Sequence, residues 1–284
     1  MKKEKTTQFL MKPKVDFCFK EVRNAFLAAV LGIDLGEIVE SRILPSHLRQ
    51  KDKDDKLGIL DVRVLLNNKE QIDIEIQVTA SEYWAERTLF YLGKMFTDQL
   101  KPGEDYQKLE KCIHIGILNF TMFEDEEYYS CFHFWSDQGR KMYSDKVEIH
   151  TLELPKLAKY EYPETELLKW LQFINAETKE EFEMAAEKSE YIKKAYEDLN
   201  RISADEEKRL EYEARERAIR DHQYFSTVYK NTGLKEGRRE GRRQATVELL
   251  QEMGMEKECV CAKVQEKFQL SFQEAEQEVE KYWK

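Results

Sequence analysis

Apolar and polar residues alternate along "GILDVRVLLNNKEQIDIEIQV", residues 58–78, with the period of two that a strand imposes. Ile72, Ile74, Ile76 and Val78 fall on one face, and Gln71, Asp73, Glu75 and Gln77 on the other. With the apolar run 59–66 before it, the stretch predicts a two-stranded hairpin. Around it the period changes often. Residues 15–31 follow the helical period, with Phe19, Val22, Phe26 and Val30 on one side. Residues 81–100 predict a helix stopped at Lys101-Pro102-Gly103. "CIHIGILNF" (112–120) is continuously apolar, as in a strand covered on both faces, and "YYSCFHFWS" and "VEIHTLEL" predict two more strands. Helix, strands, helix, strands describes a mixed α/β domain ending near residue 155.

Beyond Pro155, Glu, Lys, Arg and Ala dominate and no strand is predicted. Thr178–Glu181, Ser203–Glu206 and Ser271–Glu274 fit the capping box, so helices are expected to open near 179, 204 and 272. The expected division is an α/β domain at 1–157, a charged helical extension at 158–230, and a basic glycine-containing segment with C-terminal helices at 231–284. A chain of 284 residues, 41% apolar and 12% aromatic, can support such cores. Its longest apolar run, "AFLAAVLGI", is too short to span a membrane, and no long apolar segment follows the basic N-terminus. A soluble, cytoplasmic protein is therefore expected. The five cysteines form no CxxC pair and the five histidines no HxxxH or Cys/His cluster, which speaks against a structural zinc site. A net charge of −10 argues against nucleic acid as a partner. A local basic patch decides that binding, however, and "GLKEGRREGRRQ" is one.

The acids of the hairpin raise a chemical question. With Asn67-Asn68-Lys69 as a three-residue turn, opposed residues sum to 136 and Asp61 faces Glu75. Directly opposed side chains have Cβ atoms roughly 4.5–5.5 Å apart, where two carboxylates repel unless a proton or cation separates them. A hard divalent ion such as Mg²⁺ takes one or two carboxylates and keeps several waters. Gln77 projects from the same face as Glu75. A two-residue turn would put Asp61 on the opposite face, and a strand-end aspartate beside a wet polar face accounts for the same letters without a metal.

In this setting the segment resembles the D…(D/E)xK signature of the PD-(D/E)XK nuclease fold, with glutamine at the lysine position. The chain is similar to the recombination-promoting nuclease and transposase family of bacteria over about residues 13–157. The matching pieces are "DFCFKEVRNAFLAAVLG", "LDVRV", "IDIEIQV", "RTLFYLGKMFTDQLKPGEDYQKL", "CIHIGILNF" and "VEIHTLELPKL", and more loosely the charged helices with "GLKEGRREG". The resemblance implies an α/β fold: a restriction-endonuclease-like core, with a mixed central sheet flanked by helices, and an all-helical C-terminal extension. It implies a Mg²⁺-dependent DNA endonuclease that hydrolyses phosphodiester bonds, with Mn²⁺ as the alternative ion. Asp61 and Glu75 would hold the metal, and Gln77 would orient the attacking water where the family has lysine. Asp16, with Glu21 as second choice, would be the first-helix acid. Arg87 and Tyr91 match the family's R-x-x-x-Y and, one turn apart, would reach the substrate. Tyr91 also suits a core aromatic, and Arg87 a surface pair with Glu82 or Glu86. A neutral amide gives the transition state no charge, so the metal would carry more of the stabilisation. The alternative is a nuclease-fold protein of weak or no activity that binds DNA or oligomerises.

Gly233, Gly237 and Gly241 are spaced by four, which in a helix puts them near one face. Each costs roughly 1 kcal/mol against alanine there and so asks for a compensating contact. One candidate is a second subunit, giving a homodimer through the C-terminal helices. The other is DNA backbone held by Lys235, Arg238, Arg239, Arg242 and Arg243. The segment also reads as a basic linker.

Overall fold

Asn67 and Asn68 adopt the left-handed backbone conformation (φ 49° and 58°), which asparagine tolerates, and turn the chain from β2 (Val62–Leu66) into β3 (Glu70–Gln77). The computed structural model describes residues 10–11, 22–45 and 62–284. Opposed residues of the hairpin sum to 136, from Leu66↔Glu70 to Val62↔Ile74, the register that a three-residue turn predicts. The Asn67 side-chain oxygen accepts from the Val39 and Glu40 N–H groups, and its amide donates to the Glu37 carbonyl, so the turn is anchored. β1 (Ser41–Leu44), which no periodicity announced, pairs with β2. Four residues are too few to display alternation.

The remaining strands are β4 (Cys112–Leu118), β5 (Tyr129–Trp135) and β6 (Met142–Glu153), in the sheet order β1-β2-β3-β4-β6-β5. β3–β4 and β4–β6 are parallel and the other pairs antiparallel. All seven residues of β4 are buried, as its continuous apolar run predicts. The crossover from β3 to β4 contains α2 (Trp84–Thr97), which ends at Thr97, short of Pro102. On one sheet face Val64, Leu66, Ile72, Ile74, Ile113, Ile115, Ile117 and Leu152 belong to a single core with α1 (Arg23–Leu31) and α3 (Glu166–Asn175). There the Phe26 ring meets Trp170 edge-on at 5.9 Å.

The charged region after residue 157 does not begin a separate core. α4 (Lys179–Ala186) and α5 (Glu190–Ala204) add Phe182, Ala185, Ile192, Ala195 and Leu199 to the same apolar cluster as the sheet. Composition reports the wet side of these helices, and their narrow apolar stripe does the packing. Two compact units divide instead between Glu216 and Arg217. Thr178 and Ser271 cap α4 and α8 (Phe272–Tyr282) with the predicted capping boxes. The third differs: α6 (Glu206–Glu252) opens on Asp205, whose Oδ1 accepts from the Lys208 N–H at 3.0 Å. Ser203 is two residues too early, and its Oγ accepts from the Met11 N–H at 3.0 Å. In the second unit, the end of α6, α7 (Lys257–Phe268) and α8 enclose Val247, Val260, Val264, Ala275 and Val279. Among the described residues no helix is long and apolar enough to cross a membrane.

Candidate active site

Alternation along β3 sets Asp73, Glu75 and Gln77 side by side on the face opposite its core isoleucines. The parallel register then lays His114 beside Asp73 and Gly116 beside Glu75. α2 covers this face, burying Trp84, Thr88, Leu92 and Met95 at helical spacing. At 116 only glycine fits, because a Cβ there would lie 2.8 Å from the Trp84 ring.

Asp73 and Glu75 are both buried, and an ionised carboxylate withdrawn from water needs a compensating partner. Each has one. Asp73 Oδ2 lies 2.8 Å from His114 Nδ1, with both side chains 1% exposed. A carboxylate only accepts, so the ring nitrogen donates. His114 Nε2 faces Thr88 Oγ1 at 3.4 Å. Glu75 forms an ion pair with Arg87, and the same guanidinium donates to Gln77 Oε1 at 3.1 Å. Gln77 Nε2 donates in turn to the Thr79 carbonyl at 2.8 Å. Arg87 is seated over Trp84, its Cζ 5.2 Å from the ring centroid. Asp73 Oδ1, also buried, has no hydrogen-bond partner among the described residues.

Asp73, Glu75 and His114 each offer one ligand atom, and these atoms lie within 4.8 Å of one another. Two carboxylates beside an imidazole, one with an unused buried oxygen, suit a divalent cation, and these side chains could hold one. The Arg87 guanidinium places a positive charge beside Glu75.

Of the residues expected at the site, Glu75, Gln77 and Arg87 come together. Arg87 pairs with Glu75 rather than with Glu82 or Glu86. Tyr91, one turn further on, packs with Leu92, Met95 and Cys112, its ring 5.6 Å from Phe90. That is the core-aromatic alternative. Asp61, Asp16 and Glu21 lie outside the described residues. In the second unit Arg238, Arg239 and Arg242 are exposed on α6, whereas Arg243 is held by Glu278 at 3.0 Å, with its Cζ 6.0 Å from the Phe268 centroid. Gly233, Gly237 and Gly241 lie within α6 rather than in a linker, and among the described residues a Cβ on any of them would meet nothing within 4 Å.

Two participants escaped sequence reasoning. Asp73 was on the polar face, and the D-x-E-x-Q alternation was the signal for it. His114 stood as a lone histidine in an apolar run, and only the parallel pairing of β3 with β4, some forty residues apart, brings it to Asp73.

Residues 13–228 match the PD-(D/E)XK nuclease family transposase, and the chain belongs to that family. No curated protein and no solved structure gives a significant match. Membership supports a nuclease- or transposase-like function.

Proposed function

We propose that this PD-(D/E)XK family member is a metal-dependent DNA endonuclease, using Mg²⁺ with Mn²⁺ as substitute. One observation carries the reading: two buried carboxylates, Asp73 and Glu75, share a strand face, Glu75 paired with the Arg87 guanidinium and Asp73 with His114. Such a concentration of buried charge is expensive in a purely structural sheet and useful beside a phosphodiester. Glu75 and Asp61 would hold the ion, with Asp73 as a third carboxylate. When bound, the ion polarises the phosphate and lowers the pKa of bound water. Arg87 offers a flat donor fork suited to a phosphate oxygen, and Gln77 and Trp84 orient that fork. Asp16 would act as a further acid. Arg238, Arg239 and Arg242 would add sequence-independent backbone contacts, while Arg243 is committed to Glu278. The test is plasmid nicking in Mg²⁺ or Mn²⁺ by the wild type and by Asp61→Ala. Cutting should require the metal and vanish in the variant; metal-independent cutting, or equal cutting by the variant, would refute the assignment.

Gln77 favours a second reading. Its amide is bonded at both ends within the protein, and it brings no charge where the family signature has lysine. A nuclease-fold protein that binds DNA or pairs with a second copy, with the open glycine face of α6 as the contact, would then keep the fold without cutting. DNA retention with no nicking in either metal would favour that reading.

A further inference from the structure

A second group of metal-ligating side chains lies on β5 and β6. Cys131 and His133 are two residues apart on one strand, and Glu148 and His150 two apart on the other, with Cys131 paired across to His150. Glu148 and His150 stand in register with Ile113 and Ile115, so they share the face of the aliphatic core, not that of Asp73. Cys131 Sγ is 3.8 Å from His133 Nδ1, 3.5 Å from Glu148 Oε1 and 4.0 Å from His150 Nε2. Glu148 Oε1 is 2.8 Å from His150 Nε2, and Glu148 Oε2 is 3.5 Å from His133 Nε2. Ligands at ordinary zinc–sulfur and zinc–nitrogen distances around a tetrahedral ion lie about 3.3–3.6 Å from one another. Cys131, His133 and Glu148 each offer one ligand atom, all within 4.8 Å of one another, and His150 Nε2 adjoins two of them, Glu148 and Cys131.

The orientation of His150 points the same way. The Tyr129 hydroxyl donates its one proton to the Val30 carbonyl at 3.2 Å, so at 3.0 Å it accepts from His150 Nδ1. His150 Nε2 is thereby aimed at the Glu148 carboxylate, where two lone pairs repel unless a proton or a metal ion lies between them. A ring nitrogen bound to an oxygen on one side and facing ligands on the other is the usual outer-shell support of a metal-bound histidine. The group also has an entry path: His150 is 1% exposed, Glu148 8% and His133 23%, and Cys131 is at the surface. The strand pairing shifts register between Phe132 and Phe134, around His133. Lys111 also pairs with Glu148, and its partly exposed chain can swing to solvent.

We propose that Cys131, His133, Glu148 and His150 form a binding site for a zinc-class transition metal ion that clamps edge strand β5 to β6. Cys131 binds as the thiolate and releases its proton to solvent. The competing arrangement is a proton on His150 and no metal. The full-length protein, stripped with chelator, is titrated with Co²⁺ in excess Mg²⁺. One equivalent should bind with a thiolate-to-cobalt absorption band. Cys131→Ser should abolish the band, His133→Ala should weaken binding tenfold or more, and Zn²⁺ should displace the Co²⁺. Cys259→Ser, on α7, should leave the band unchanged. Circular dichroism of each variant verifies the fold. Absence of the band from folded wild type, its survival in Cys131→Ser, or its loss in Cys259→Ser would overturn the assignment.

Discussion

The two faces of β3 and β4 are made from alternate residues of the same strands and follow opposite rules. Toward α1 and α3, Ile72, Ile74, Ile113, Ile115 and Ile117 fill volume, and any of them is satisfied by whatever aliphatic surface meets it. Toward α2, Asp73, Glu75, Gln77 and His114 each depend on a named partner at hydrogen-bond distance. The apolar face sets the register, because a slip of one residue would exchange the two sets. The polar face inherits its geometry from that register, and its chemistry can vary while the fold stays the same.

Three substitutions test this division. Ile74→Ala should have the largest effect on stability, about 2–5 kcal/mol by urea denaturation, since Ile74 is 1% exposed and its loss leaves a cavity. A cost below about 1 kcal/mol would mean that this face does not hold the register. Gln77→Lys should cost about 1 kcal/mol by placing an ammonium against Arg87, and Gln77→Lys with Arg87→Gln should recover it. Additive losses in that cycle would show that the two side chains are not coupled. Thr88→Val keeps the shape and removes one contact to His114, at 3.4 Å a weak one. About 0.5 kcal/mol is expected, and a loss above 2 kcal/mol would mean that the hydroxyl holds the Asp73–His114 pair in place.

Much of the apolar face was legible in the sequence. The alternation of residues 70–77, the continuous run at 112–118 and the turn at Asn67-Asn68 predicted strands, burial and register together. The capping boxes at Thr178 and Ser271 were legible because a cap is local. The polar face was half legible. Glu75, Gln77 and Arg87 share a periodic face or a family motif, but His114 joins through a parallel pairing that leaves no local mark. Cys131, His133, Glu148 and His150 escaped for the same reason: each pair is separated by one residue, and the two pairs meet only across β5 and β6. The domain edge expected at 157 failed differently. Helices that close a core carry most of their residues on the wet side, so bulk composition there resembles an independent extension.

Glu75 tests the central claim most directly, because Gln keeps its shape and a hydrogen-bond acceptor for Arg87 while removing the charge that would hold a metal. Plasmid nicking in Mg²⁺ by the wild type and by Glu75→Gln, with DNA binding of both measured in chelator, separates chemistry from recognition. The account predicts that cutting falls at least about a hundredfold, the scale of losing one electrostatic contact to the transition state, while DNA binding is unchanged. Cutting by Glu75→Gln at the wild-type rate would contradict it.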